Sequence, residues 1–286
     1  MLSRRRLLAV AGVGVGVLAA GCAPDHRPTL KRLQANEAVR VGVANEEPFG
    51  YLDSYGQLAG ESPEVAAAVL KGLGITSLEA VQRPFGQLID SLLAGTFDII
   101  TAGMAITAGR CERVAFSRPD FVAPTAFLVE EGNPRRLRTF VDVARAGEPI
   151  AVLDGSIEQE AARAAGIPDA RIKPYDSPGH LYQAVFQGDA PVGALTDISL
   201  HNLLGRHPQS PLEVTPGLPL EGRSVSQPAG AFAFRPADTD LVDAFDAGLT
   251  AVHQSGEWLR IVAKFGATAA NLPPAGLTTA RLCQQS

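Results

Sequence analysis

Two hydrophobic periods alternate along this chain. In "VRVGV" the apolar Val39, Val41 and Val43 alternate with Arg40 and Gly42, the period-two pattern of a half-buried strand. "NEEPF" follows, and Pro48 breaks the strand. "SYGQLAG" reads as a turn. The period then switches. In "ESPEVAAAVLKGLG", Val65, Val69 and Leu73 recur every fourth residue and mark one buried helical stripe. Ser62 is placed to cap that helix, Pro63 to open it and Gly74 to stop it.

The alternation continues. "FGQLIDSLLAG" predicts a helix and "FDIITAGM" a strand, with "TAFLVEEG" a further strand. "PIAVLDG" is a strand leading into the helix "SIEQEAARAAG"; "HLYQAVFQG" is helical and "APVGALTD" extended. "GAFAFRP" is a strand, and the stretch from Asp238 to Gly266 holds two helices. Strands alternating with short helices predict an α/β chain with largely parallel sheets. In such sheets ligands lie beyond the C-terminal ends of the strands. The residues with chemistry to offer fall there: Glu46 and Phe49, Met104 to Arg110, Asp154 to Ser156, and Thr196 with Asp197.

Composition narrows the function. The chain has 286 residues and a net charge of −5, enough for one large domain or two lobes. No basic stripe interleaved with aromatics follows the N-terminus, so nucleic acid is not an expected partner. The first residues are different. "MLSRRRLL", a short apolar run and "GC" at Gly21 and Cys22 resemble a lipoprotein signal, and "SRRRLL" also resembles a twin-arginine export signal. The lipobox position three before the cysteine holds Ala19 rather than a larger apolar residue. Cys22 is therefore expected to be the lipidated first residue of the mature protein, the alternative being a plain cleaved signal. Residues 23–38 read as a tether. Export implies an oxidising compartment, where Cys111 and Cys283 either pair or remain separate thiols. Neither the cysteines nor the five scattered histidines have metal-site spacing, and no metal or cofactor is expected.

Four blocks in order carry a resemblance: "ANEEPFGYLDSYGQLAGESPEVAAAVL", "LIDSLLAGTFDIITAGMAITAGRCERVAFS", "VLDGSIEQEAARAAG" and "FRPADTDLVDAFDAGLTAVHQSGEW". Together they resemble the extracellular solute-binding proteins of polar amino-acid ABC importers. "GESPEVA" and "RCERVAFS" are most similar to the ectoine/hydroxyectoine-binding branch. The resemblance implies a two-lobed α/β fold of the periplasmic-binding-protein type II class with two hinge crossings. Lobe 1 would hold residues 39–123 and 230–275, lobe 2 residues 124–229, and residues 276–286 would form a tail. It further implies a monomer that closes on a small zwitterionic solute and presents it to a permease and its ATPase, outside the cell membrane.

The resemblance also assigns a site. Arg110 falls on the family's T-x-x-R arginine, here Thr107-Ala108-Gly109-Arg110, whose planar fork matches a ligand carboxylate. The residue alone reads equally as a solvated arginine opening a helix. Glu46 would neutralise the ligand cation, with Phe49 and Phe85 as aromatic walls; the alternatives are a surface acid and ordinary core. Gly103 and Ala105 line the same strand end. Ser156 after Gly155 would meet the carboxylate through its amide and hydroxyl, or simply cap the next helix. Two positions depart from the ectoine pattern. Ala105 stands where an aromatic is usual, and Phe121, Met104 and Tyr51 are candidates to replace that wall. Asp197 stands where amino-acid binders carry an acid for the α-amino group; its alternative is a helix N-cap. A polar or cationic amino acid is thus the second ligand reading. A different class, the cyclic-acid dehydratases, shares this fold and would use Glu46 or Asp197 as a general acid. No nucleophile elbow or phosphate loop occurs, and a binding protein rather than an enzyme is expected.

Overall fold

The computed structural model describes residues 29–218 and 228–284. The signal segment and Cys22 lie outside the described residues, so the lipid anchor is not addressed by it. The described residues build two large sheets and a two-stranded ribbon, Tyr51–Leu52 with Leu58–Ala59. In the first, the spatial order is Ser77–Gln82, Ala38–Val43, Ile99–Ala105, Ala229–Phe234 and Ala115–Phe116, with Phe121–Val122 also pairing Ala229–Phe234. The first three strands are parallel and Ala229–Phe234 runs antiparallel to them. In the second, the order is Ile172–Tyr175, Ile150–Leu153, Val192–Thr196, Thr125–Glu130 and Leu212–Val214. The chain leaves the first sheet after Val122, enters the second at Thr125 and is back in the first at Ala229.

The valine alternation at 39, 41 and 43 is buried, as its period requires. Among the strands that escaped the pattern, two did so for a plain physical reason. Ser77–Gln82 and Ile172–Tyr175 are sheet edges that bury little of themselves. Pro174 inside the latter is tolerated because an edge strand has amide positions free of the ladder. The helix after the turn begins earlier than its capping signals suggest. It spans Glu61–Gly72 with Gly60 at the N-cap, so Ser62 and Pro63 lie inside the first turn. The Ser62 hydroxyl instead donates to Glu61 Oε2 at 2.8 Å and accepts from the Gly103 amide at 3.2 Å. The segment expected as a tether is helical over Thr29–Asn36 and docks on the first lobe: Leu33 is buried, and Thr29 donates to Asp238.

Each sheet is covered on its outer face. Helices Glu61–Gly72, Thr239–Gln254 and Glu257–Val262 pack the first lobe's core around Phe232, Phe234, Phe245 and the fully buried Trp258. Phe127, Val152 and Val192 centre the second. One buried charge is matched three times over. Asp98 is met by Arg32, Arg40 and Arg235. Burial by itself would raise its carboxyl, but these guanidinium groups hold it below the ordinary range. Cys111 and Cys283 form a disulfide with Cα atoms 5.7 Å apart. It ties the C-terminal helix Thr279–Cys283 to the short helix Ala108–Cys111, and Thr279 adds a hydrogen bond to the Ser117 carbonyl at 2.7 Å.

Candidate functional site

Between the two large sheets, at the strand ends, lies a cleft lined by Glu46, Phe85, Gly103, Ala105, Arg110 and Ser156 among others. Arg110 reaches it through local capping. After Ile99–Ala105 the backbone turns at Thr107, whose hydroxyl accepts from the Arg110 amide at 3.3 Å and starts the four-residue helix Ala108–Cys111. This turn aims Arg110 across the cleft. Its Nη1 donates to the Ala105 carbonyl at 2.7 Å and its Nη2 to the Gly155 carbonyl of the second lobe at 2.9 Å. The guanidinium carbon lies 5.5 Å from the Phe85 ring centre. The side chain is 7 % exposed, so the reading of a solvated helix-opening arginine does not describe it.

Opposite charge comes from two carboxylates. Glu46 follows the first strand, and its backbone pairs with Gly50 in a tight loop containing the cis Glu47–Pro48 bond. Its Oε1 accepts from Ser199 Oγ of the second lobe at 2.9 Å. Burial pushes its carboxyl up to about 8, against the Ser199 hydrogen bond; Glu158 pushes the same way and Arg110 opposes. Glu158 lies in the first turn of the helix Ile157–Ala164 and accepts from Thr125 Oγ1 at 2.7 Å. Burial raises its carboxyl also, against the Thr125 hydrogen bond and Arg110. An acid in a first helical turn is commonly a surface charge favoured by the helix dipole, and nothing in "GSIEQE" signals that Glu158 faces inward.

The aromatic walls differ from expectation in one place. Phe85 and Phe121 line the cleft, whereas Phe49 stands behind Phe121, stacked on it with centroids 4.8 Å apart. Phe49 is packed as core, and Phe121 faces the cleft in its place. Met104 is core instead. Gly103, Ala105 and Gly230 keep the floor shallow. A side chain at Gly103 would collide with the Phe49 ring at 2.6 Å, and its φ of +61° also favours glycine. Ser156 lines the cleft, and its hydroxyl accepts from the Gln159 amide at 3.3 Å as an N-cap.

Asp197 is not brought into this cleft. It borders a separate crevice with Pro124, His201 and Lys264, its amide bonding the Pro124 carbonyl at 3.0 Å and its Oδ1 accepting from Ile198 N at 2.7 Å. Its place at the cleft is taken by the preceding Thr196. The lobes also touch directly. A Cβ on Gly155 would lie 2.7 Å from the Gly86 Cα, and Arg206 pairs with Glu47 at 2.8 Å near the rim.

Two sheets meeting over a buried, charge-lined cleft, bridged by hydrogen bonds from each side, define a two-lobed solute-binding protein. Residues 39–268 match the bacterial extracellular solute-binding proteins, family 3, and the chain belongs to that family. It is 31 % identical over 240 residues to a probable amino-acid ABC transporter periplasmic-binding protein of Sinorhizobium fredii, covering 83 % of this chain and 80 % of the relative. The crystal structure of EhuB in complex with hydroxyectoine superposes with a TM-score of 0.82 at 30 % identity, covering 90 % of this chain and 98 % of that one. An ancestral amino-acid-binding protein, a precursor of cyclohexadienyl dehydratase, superposes with a TM-score of 0.73 at 26 % identity, over 83 % and 99 % of the two chains. The α/β architecture is accordingly the type II periplasmic-binding-protein fold.

Proposed function

We propose that this chain is the solute receptor of an amino-acid-type ABC importer, capturing a small ligand that carries a carboxylate and a cationic group. One observation carries the reading: Arg110 and Glu46 are both buried in the cleft, and each is hydrogen-bonded to the opposite lobe. Arg110, with Ser156, meets the ligand carboxylate. Glu46 meets the cation, and Phe85 and Phe121 present ring faces to it, each worth about 0.5–2 kcal/mol for a desolvated cation. Ectoine or hydroxyectoine, a carboxylate on a ring with a delocalised amidinium, is the first reading; the solved hydroxyectoine complex among its structural relatives supports it. A cationic amino acid is the second, favoured by the additional carboxylate of Glu158 in the cleft.

The test is calorimetric titration of the mature body with ectoine, hydroxyectoine, glycine betaine and the polar amino acids. Saturable heat with either ectoine supports the first reading. Binding of an amino acid with neither ectoine bound moves the assignment to the second. The receptor reading also excludes catalysis, so incubation with prephenate or arogenate is expected to leave both unchanged, and turnover would overthrow it. Lipid anchoring at Cys22 belongs to the same proposal. Metabolic labelling with radioactive lipid is expected to mark the wild type and not Cys22→Ala.

A further inference from the structure

Glu158 carries an inference that rests on the receptor reading and deepens it. Among the described residues lining the cleft, the charged groups are Glu46, Glu158 and Arg110. Two carboxylates and one guanidinium leave a formal charge of −1. The acids come from opposite lobes, Glu46 from the loop after the first strand and Glu158 from the second lobe's helix Ile157–Ala164. Both are buried, and the Arg110 charge acts on each. Glu46 is faced by Ser199, Arg110 and Glu158; Glu158 is faced by Thr125, Ser156, Arg110 and Glu46. Asp197 and His201 face the other crevice, and Arg206 pairs with Glu47 at the rim.

We propose that Glu158 is a specificity-determining residue: paired with Glu46 across the lobes, it sets the net charge of ligand plus protons that the closed cleft takes. In a dry cleft an unmatched charge costs several kcal/mol, so the enclosed set is driven toward neutrality. A ligand of net charge +1 neutralises the cleft with both acids ionised. A net-neutral zwitterion neutralises it only when the acid pair holds one proton, drawn from solvent onto a carboxylate oxygen. The complex with a zwitterion therefore holds one proton more than the complex with a net-positive ligand. Their relative affinity shifts by about tenfold per pH unit, high pH favouring the net-positive ligand. Burial raises both acids, Glu46 to about 8, so the exchange falls near neutral pH.

The experiment titrates wild type, Glu158→Gln and Glu158→Asp with ectoine, glutamine, arginine and ornithine at pH 6 and pH 8. Buffers of different ionisation enthalpy give the protons exchanged on binding. In wild type, the complexes with net-neutral and net-positive ligands are expected to differ by about one proton. In Glu158→Gln the cleft is neutral with Glu46 ionised. The proton difference is expected to vanish, and net-positive ligands to lose at least about tenfold relative to zwitterions. Glu158→Asp retains the acid and is expected to retain the difference. A wild type that binds one class only is tested through the pH dependence of that class, which Glu158→Gln must flatten. Equal proton counts in wild type, or pH dependence unchanged in Glu158→Gln, overturn the inference and leave the receptor reading standing. Wild type silent to every ligand overturns the receptor reading and this inference with it. Should Glu158→Gln fail to fold, the wild-type counts and Glu158→Asp still decide.

Discussion

At the scale of single residues, Arg110 does two jobs. Its fork holds the Ala105 carbonyl of its own lobe and the Gly155 carbonyl of the other, so it ties the lobes together in addition to the carboxylate role proposed for it. Arg110→Ala is expected to weaken binding by about 3 kcal/mol, roughly 100-fold, and calorimetry would show it. Arg110→Lys should recover little, because one ammonium cannot span both directions. A second buried group has a different signature. Glu61 hydrogen-bonds Asp120, which also receives Trp258 Nε1 at 2.9 Å and faces His253 Nε2 at 3.2 Å. Glu61 Oε1 and Asp120 Oδ2 have no other partner, which one shared proton explains. Burial first, then Asp120, raises the Glu61 carboxyl well above its ordinary value. An acid with a raised folded-state pKa gives stability that is complete below the unfolded value near 4.5 and lost as pH rises toward the folded one. Glu61→Gln removes that dependence. Its stability relative to wild type should climb from pH 5 to pH 8, by at most about 1.4 kcal/mol per pH unit, as denaturant unfolding at each pH would show. His253, which burial holds down to about 4, titrates in the opposite sense and cancels in the comparison.

At the scale of elements, the chain's own pattern revealed the buried strands and the long helices, because burial on one face imposes a period. It did not reveal the edge strands, which bury too little, nor the start of the helix at Glu61, where Ser62 is spent on the Gly103 amide rather than on a cap. The site divides the same way. That Arg110, Glu46, Phe85 and Ser156 line the cleft was legible from motif position. Glu158 and the exchange of Phe49 for Phe121 depend on which side of a turn faces inward, and Asp197 on where a helix start meets the hinge. Contacts between elements also give a prediction. Gly155 packs on Gly86 with φ +73°, leaving 2.7 Å for an added Cβ. Gly155→Ala is expected to hold the lobes apart and weaken binding at least tenfold, with left-handed strain of about 1 kcal/mol besides. Gly86→Ala, whose Cβ would meet Asp154 Oδ2 at 3.2 Å and the Asp154 carbonyl oxygen at 3.4 Å, should do less. Calorimetry on both variants, with ligand-free melts, ranks them.

At the scale of the whole molecule, the lobes also meet outside the cleft. Arg206 and Glu47 form the bridge near the rim, both partly exposed, which limits the pair to about 0–1 kcal/mol. Arg206→Glu sets two acids against each other there. A severalfold loss of affinity, relieved by salt, and a larger radius of gyration by small-angle scattering are expected. The disulfide acts over a longer reach, spanning 172 residues in sequence from the Arg110 helix to the end of the chain. Cys283→Ser should lower stability by about 2–5 kcal/mol, seen in thermal melts.

That bond also makes the receptor a record of its own maturation. A copy folded in a reducing cytosol carries the same sequence with its last helix unfastened from the turn that aims Arg110, and one that has met an oxidant carries it locked. Preparations from the two compartments are expected to differ in heat tolerance, and an added reductant to convert the second into the first. The history of the cysteines, and not only the choice of buffer and ligand, thus belongs to the definition of the active receptor.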